Sequence, residues 1–156
     1  MTAKDLMSRP AITCDVNDTL DRAAKLMWDH DCGAIPVTRG DDGRLVGMIT
    51  DRDICMAALT QGRRLDQILV NAAMAHDPIV ATPETTAGEI EQQMADHQVR
   101  RIPIVDERGA PIGVVSLNDL AIESVQPDSK MKHGISKVAH TLAAICRPRA
   151  SGKQAA

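Results

Sequence analysis

The sequence predicts an α+β fold made of two tandem β-α-β-β-α units followed by a C-terminal helix. Three observations carry that expectation. Residues 4–60 and 71–126 repeat each other in order, at an offset of 67 positions that becomes 66 after one residue is lost in a turn. Each half alternates short apolar runs of strand length with stretches of helical periodicity. The chain has 156 residues, 44% hydrophobic and 25% charged, the make-up of an ordinary soluble globular protein. A unit of ~57 residues, the length of one repeat, buries its apolar face poorly alone. Two related units are therefore expected to pack about a pseudo-two-fold, which makes clefts the first place to look for ligands.

The elements follow in chain order. Residues 11–14 and 78–81 are short apolar runs that open each unit as strands. A polar turn follows, and Asp18 or Thr19 in the first unit, Thr85 or Thr86 in the second, is placed to cap the next helix. Leu20, Ala23, Ala24 and Met27 recur at helical spacing, as do Ile90 and Met94. Residues 34–38 and 101–106 read as the next strand. A turn around Gly43 or Gly109 leads to strands at 44–50 and 111–116, a hairpin pattern. Helices at 51–59 and 117–125 close the units, and residues 65–70 read as a short helical linker. The expected boundaries are 1–62 for the first repeat, 63–70 for the linker helix, 71–127 for the second repeat and 128–156 for a basic tail.

That tail differs electrostatically from the body. Residues 129–156 hold Lys130, Lys132, Lys137, Arg147, Arg149 and Lys153 without an Asp or Glu. Their formal charge is +6 in a chain of −3, so residues 1–128 carry −9. Met131, Ile135, Val138, Leu142 and Ile145 fall on one helical face, with Gly134 weakening the helix and Pro148 ending it. Beyond about residue 150 the chain is expected to be disordered.

Composition narrows the function. One Trp, no Tyr and no Phe leave no aromatic platform of the kind single-strand nucleic-acid binders use. A base would have to be gripped by aliphatic side chains and backbone, and nucleic acid is not the expected partner. Cys14, Cys32, Cys55 and Cys146 form no C-x-x-C pair. No apolar run reaches the ~18 residues of a membrane span, and the N-terminus has no apolar leader. A cytoplasmic setting without a membrane span is the expectation. No P-loop, G-x-G-x-x-G or G-x-S-x-G is present. Asp51 and Asp53 suggest a carboxylate dyad, but Leu117 stands opposite Asp51, so the dyad is not duplicated. His30 and His97 sit at equivalent helix ends, and the acids near them lack ligand spacing. No catalytic residue and no metal are expected.

Two duplicated motifs remain. Thr50-Asp51-Arg52-Asp53 and Ser116-Leu117-Asn118-Asp119 each sit where a strand becomes a helix. A hydroxyl with an acid three residues on is a capping-box pattern. The same geometry suits a ligand: a helix N-terminus favours phosphate, and an ionised Asp accepts both hydroxyls of a ribose. The second motif is apolar-Pro-apolar, Ile35-Pro36-Val37 and Ile102-Pro103-Ile104. A proline withholds a ladder donor, which leaves a neighbouring carbonyl for the edge of a purine.

These residues resemble a known family. Gly47-Met48-Ile49-Thr50-Asp51-Arg52-Asp53 with Ala34-Ile35-Pro36-Val37, and Gly113-Val114-Val115-Ser116-Leu117-Asn118-Asp119 with Arg100-Arg101-Ile102-Pro103-Ile104, look like two CBS repeats. Together they resemble a CBS pair, or Bateman module, over roughly residues 3–126. The resemblance implies a non-catalytic regulatory module that binds AMP, ADP, ATP, NAD or S-adenosylmethionine between the repeats. It implies that Asp53 and Asp119 hold ribose, with Thr50 and Ser116 near ribose or phosphate. One site would be built on Thr50 and Asp53; the other would use Ser116 and Asp119 with Arg100 and Arg101 nearby and Cys32, Gly33 and Ala34 contributed across the pseudo-two-fold, and Thr13 and Val80 would be outer contacts. It also implies a homodimer and a protein target that the sequence does not identify. Only the second repeat has paired arginines, which favours phosphate there. The alternative reading is an interaction or nucleic-acid-binding protein that acts through its basic tail.

Overall fold

The protein is described from a computed structural model, covering residues 1–124 together with 141, 142, 144 and 145. The α+β class holds. In chain order the elements are α1 (Ala3–Leu6), β1 (Cys14–Asp15), α2 (Leu20–Asp29), β2 (Ala34–Arg39), β3 (Arg44–Thr50), α3 (Asp51–Gln61), β4 (Ala75–His76), α4 (Ala87–His97), β5 (Arg101–Val105), β6 (Pro111–Ser116) and α5 (Leu117–Ser124). They form two compact bodies. One gathers Pro10–Pro78 with Glu107–Pro111, and the other gathers Met1–Arg9, Ile79–Asp106 and the described residues from Ile112 on.

The first body is a four-stranded sheet in the order β1-β2-β3-β4. β1 runs parallel to β2, and β2–β3 and β3–β4 are antiparallel. Its core joins Cys14, Val16, Leu20, Ala23, Met27, Ile35, Val37, Ile49, Ile54 and Ala57 with Ile68, Val70 and Met74. α2 turns Leu20, Ala23 and Met27 inward, at i, i+3 and i+7, and leaves Trp28 86% exposed. The hairpin turn is fastened from outside: the Asp15 carboxylate accepts the Asn17 N–H and the Gly40 N–H, each at 2.8 Å. Those backbone donors hold the Asp15 carboxyl below its usual pKa range. α3 stops at Gly62, whose left-handed φ of 60° lets its N–H close on the Ala58 carbonyl.

The second body repeats the plan around β5 and β6. Isolated bridges stand in for its outer strands: Ala81 pairs parallel with Ile104, and Ser8 pairs antiparallel with Val114. Its core is Ala3, Leu6, Ala81, Ala87, Ile90, Met94, Ile102, Ile104, Val115 and Leu120. α4 carries the expected cap. Thr86 accepts the Glu89 N–H, while the Glu89 carboxylate accepts the Thr86 N–H at 2.8 Å. In the first body Thr19 holds the N-cap position without a side-chain bond, and Asp18 turns back to accept the Asp15 N–H at 2.8 Å.

Two details differ from the sequence reading, and a third adds to it. The opening strand begins later than residues 11–14, at Cys14, and residues 78–81 contribute only the Ala81 bridge. The proline of the facing strand is the reason. Ala81 N–H donates to Pro103 O at 3.1 Å and Val105 N–H donates to Ala81 O at 3.0 Å. The next rung would need an N–H at Pro103, which has none, so the parallel ladder ends there. Pro36 ends the β1–β2 ladder at the equivalent place. The linker is two short 3₁₀ turns, Leu65–Gln67 and Val70–Ala72, rather than one helix.

The third detail is an exchange of segments between the repeats and the bodies. Met74 and Ala75, at the head of the second repeat, complete the first body: β4 pairs with β3 through Gly47↔His76 and Met48↔Ala75. Met7 and Ser8, at the head of the first repeat, serve the second body against Gly113 and Val114. Each repeat therefore contributes its opening segment to the other's sheet.

The C-terminal helix is described only in part. Thr141, Leu142, Ala144 and Ile145 are helical. Ile145 packs against the second core, and Ala144 O accepts Gln98 Nε2 at 3.2 Å. Met131, Ile135, Val138, the lysines and arginines of the tail and the end of the chain lie outside the described residues.

Cys14 offers a check on the first core. Burial, with the carboxylates of Asp18 and Asp15 adding to it, pushes its thiol up from about 9 to about 12. The folded state then keeps the thiol neutral where the unfolded chain ionises. The stabilisation is complete below about pH 9 and is lost as pH rises toward about 12. Urea midpoints at pH 8 and pH 10.5 are expected to fall further for the wild type than for Cys14→Val. Parallel losses would show that Cys14 is not held this way.

Candidate functional site

Both hydroxyl-x-x-Asp motifs fold as capping boxes. At the β3–α3 junction, Asp53 Oδ2 accepts the Thr50 N–H at 2.9 Å and the Thr50 hydroxyl at 2.8 Å, and Asp53 N–H reaches back to Thr50 Oγ1 at 3.1 Å. At the β6–α5 junction, Asp119 Oδ2 accepts the Ser116 N–H at 2.7 Å and the Ser116 hydroxyl at 2.6 Å. Asp119 N–H returns to Ser116 Oγ at 3.3 Å. The local reading of these motifs is thus realised, yet it uses one oxygen of each carboxylate. Among the described residues Oδ1 of Asp53 and of Asp119 receives no hydrogen bond, and both side chains are half-buried. Each junction therefore keeps a fixed, partly desolvated acceptor, held in place by the cap that occupies its neighbour.

The strand edge named with each motif lies beside it. Asp51 N–H donates to Gly33 O at 3.2 Å, and Leu117 N–H donates to Arg100 O at 2.9 Å. The first backbone donor of each motif helix is thereby tied to the residue two before the buried isoleucine of the apolar-Pro step. In the sheet Ala34 pairs with Thr50, Ile35 with Ile49 and Pro36 with Met48. One body so gathers Cys32, Gly33, Ala34, Thr50 and Asp53. The other gathers Arg100, Arg101, Ser116 and Asp119. Thr13 and Val80 precede the residues that bridge to the apolar-Pro strand, Cys14 and Ala81.

Not every predicted residue presents a side chain. Ile35 and Ile102 have 0% exposure and belong to the two cores, and Pro36 and Pro103 are buried with them. What these strands offer a ligand is backbone. The missing proline N–H is the donor that the next parallel rung would direct at the Ile79 carbonyl, and at the Ile12 carbonyl in the first body. Val80 is 41% exposed, Arg100 is exposed and Arg101 half-buried, so these three reach solvent.

Sequence reasoning missed the carbonyls of Gly33 and Arg100, because a backbone acceptor leaves no residue-type signal. It also missed Gln98, which has a left-handed φ of 52° and donates to the C-terminal segment. The equivalent Asp31 shares that conformation, with φ 49°, and the repeat offset could have paired them. An open concavity of about 310 Å³, lined by Asp21, Arg64, Leu65 and Asp66, contains none of the motif residues. Among the described residues no three His, Cys, Asp or Glu side chains come together to hold a metal ion, and no helix is long and apolar enough to cross a membrane.

Comparison with known proteins agrees with this geometry. The CBS domain family model matches twice, over residues 3–60 and 69–126. The chain is 39% identical over 128 residues to the CBS domain-containing protein YhcV of Bacillus subtilis, covering 82% of this chain and 89% of that one. It is 38% identical over 122 residues to Hypoxic response protein 1 of Mycobacterium tuberculosis, covering 77% and 82%. Among solved structures, the CBS domain pair of protein MJ0100, in complex with 5′-methylthioadenosine and S-adenosyl-L-methionine, superposes with a TM-score of 0.70 at 27% identity, covering 78% of this chain and 98% of that one. Two capping boxes on two equivalent strand–helix junctions, matched in duplicate by one family model, make this chain a member of the CBS domain family, with two CBS repeats.

Proposed function

We propose that this chain is a regulatory module that binds an adenosine-containing ligand at its Thr50–Asp53 and Ser116–Asp119 junctions and performs no chemistry on it. The observation that carries the reading is the duplicated Asp whose Oδ2 is engaged by the cap and whose Oδ1 receives no hydrogen bond among the described residues, an acceptor suited to a ribose hydroxyl. The adenosine ligands named for the MJ0100 pair support the same class. AMP, ADP, ATP, NAD and S-adenosylmethionine all share the adenosine that these junctions would hold.

Thermal unfolding with millimolar AMP, ATP, NAD or S-adenosylmethionine tests the reading. A ligand of the folded state present at 100 times its Kd stabilises by about 2.7 kcal/mol. A rise in Tm with at least one of the four is expected. No rise with any of them would favour the other reading, an interaction or nucleic-acid-binding protein acting through its basic tail.

Arg100 and Arg101 give the second junction its own preference. They stand beside the Leu117 N–H that closes on Arg100 O, where two cations would meet the phosphates of a ribose-anchored nucleotide. Replacing both with alanine is expected to weaken ATP about tenfold or more, since hydrogen bonds to charged groups contribute about 1.5–3 kcal/mol. Adenosine should change much less. Equal losses for ATP and adenosine by calorimetry would remove the arginines from the site.

The reading includes a homodimer in the cytoplasm. Outside the cores, Met56 and Leu59 on α3 and Ile122 on α5 are 44%, 73% and 59% exposed. Met56 and Ile122 are equivalent in the repeat, so both motif helices present apolar surface. Light scattering is expected to give a dimer mass, and Leu59→Lys to lower it.

A further inference from the structure

We propose that residues 141, 142, 144 and 145 form a latch on the second repeat whose docking is coupled to ligand binding at the Ser116–Asp119 junction. The inference rests on the proposed nucleotide reading and adds a site and a direction of coupling to it.

The argument starts at the entry to β5. Gln98 leaves α4 in a left-handed conformation, its N–H closing on Met94 O. A glutamine there carries a conformational cost that glycine would not, so the side chain needs compensating contacts. Its Nε2 donates to Ala144 O at 3.2 Å. One residue on, Val99 N–H donates to Met94 O at 3.1 Å, and its side chain lies at the edge of the second core. One residue further, Arg100 O takes the Leu117 N–H at 2.9 Å. Three consecutive residues thus connect the C-terminal segment, the second core and the first backbone donor of the ligand motif.

The packing follows the same route. Ile145 joins the edge of the cluster that also takes in Val99 and Leu117. Thr141 is 5% exposed, so the segment is seated rather than lying on the surface. A ligand held by Asp119 and the two arginines needs residues 98–101 in one position, and the seated segment needs the same position. Whichever binds first has already ordered the strand entry for the other. Linkage makes the coupling reciprocal. The first repeat has no such segment at the equivalent Asp31 among the described residues, so the coupling belongs to the second junction.

Hydrogen exchange on the full-length protein tests this, with ATP as the probe and calorimetry on the same samples. Amides of 141–145 are expected to exchange at least roughly fivefold more slowly with ATP bound. Ile145→Asp and Gln98→Ala are expected to weaken ATP by a similar factor. Asp53→Asn should leave the ATP-dependent protection of 141–145 in place. ATP binding with unchanged exchange at 141–145 would overturn the latch and leave the nucleotide reading standing. No ATP binding by calorimetry would overturn both.

Discussion

Gly47→Ala lowers the melting temperature by roughly 5–10 °C. A Cβ at Gly47 would lie 2.6 Å from the Ala75 carbonyl oxygen and 2.7 Å from Met74 Sδ. The oxygen belongs to β4, whose main chain is held against β3 at Gly47 and Met48. It cannot swing aside as a side chain would, so β4 must move off or the sheet must distort. Overpacking of this kind costs about 2–3 kcal/mol, which gives the stated shift for a chain of this size. Gly113 holds the equivalent place, but there the nearest atom is the sulfur of Met7, at 2.6 Å, with Ser8 O at 3.0 Å. A flexible methionine can give way, and Gly113→Ala should cost only about 1 kcal/mol. Thermal unfolding by circular dichroism ranks the two variants. The opposite order, or no loss at Gly47, would mean that the close approach of β4 is not maintained in solution.

Asp119→Asn weakens nucleotide binding at the second junction by about tenfold or more while leaving the fold in place. The wild-type carboxylate divides its labour: Oδ2 holds the Ser116 N–H and hydroxyl, and Oδ1 faces no protein donor among those described. An asparagine has one oxygen. If that oxygen keeps the cap, an NH₂ group meets the ribose; if it turns to the ribose, the cap is lost. Losing a cap costs about 1 kcal/mol. Losing a hydrogen bond from a ribose hydroxyl to a charged acceptor costs about 1.5–3 kcal/mol, which sets the tenfold figure. Asp53→Asn should do the same at the first junction. Calorimetry on both variants, with unfolding curves alongside, would sink the ribose assignment if affinity followed stability and nothing more.

The motif junctions were legible because they are local and duplicated. Thr50 with Asp53 and Ser116 with Asp119 each lie within one helical turn, so spacing alone dictates their geometry. A single copy reads equally well as a cap, and the structure shows that it is one. What sequence could not separate was cap from proposed site, because the cap takes one oxygen of the side chain and the proposed ribose contact would take the other. Ile35 and Ile102 illustrate the opposite failure. Apolar residues beside a proline look the same whether they flank a ligand or fill a core, and their 0% exposure places these two side chains in the cores. β4 was illegible because a two-residue strand carries no periodicity. Only the close approach at Gly47, a contact between segments far apart in sequence, makes its partner plain.

The exchange of opening segments bears on how the chain is made. Residues 10–62 emerge from a ribosome without the edge strand that residues 75–76 supply. Met7 and Ser8, made ahead of the first sheet, wait for Gly113 and Val114, which follow only after that sheet and α4 have been made. Neither half can finish before the other has begun, so closure comes late and spans nearly the whole chain. Such a pair is passed on as a pair: cutting between residues 62 and 63 would not release two small domains, but two sheets each missing a strand that the other still carries.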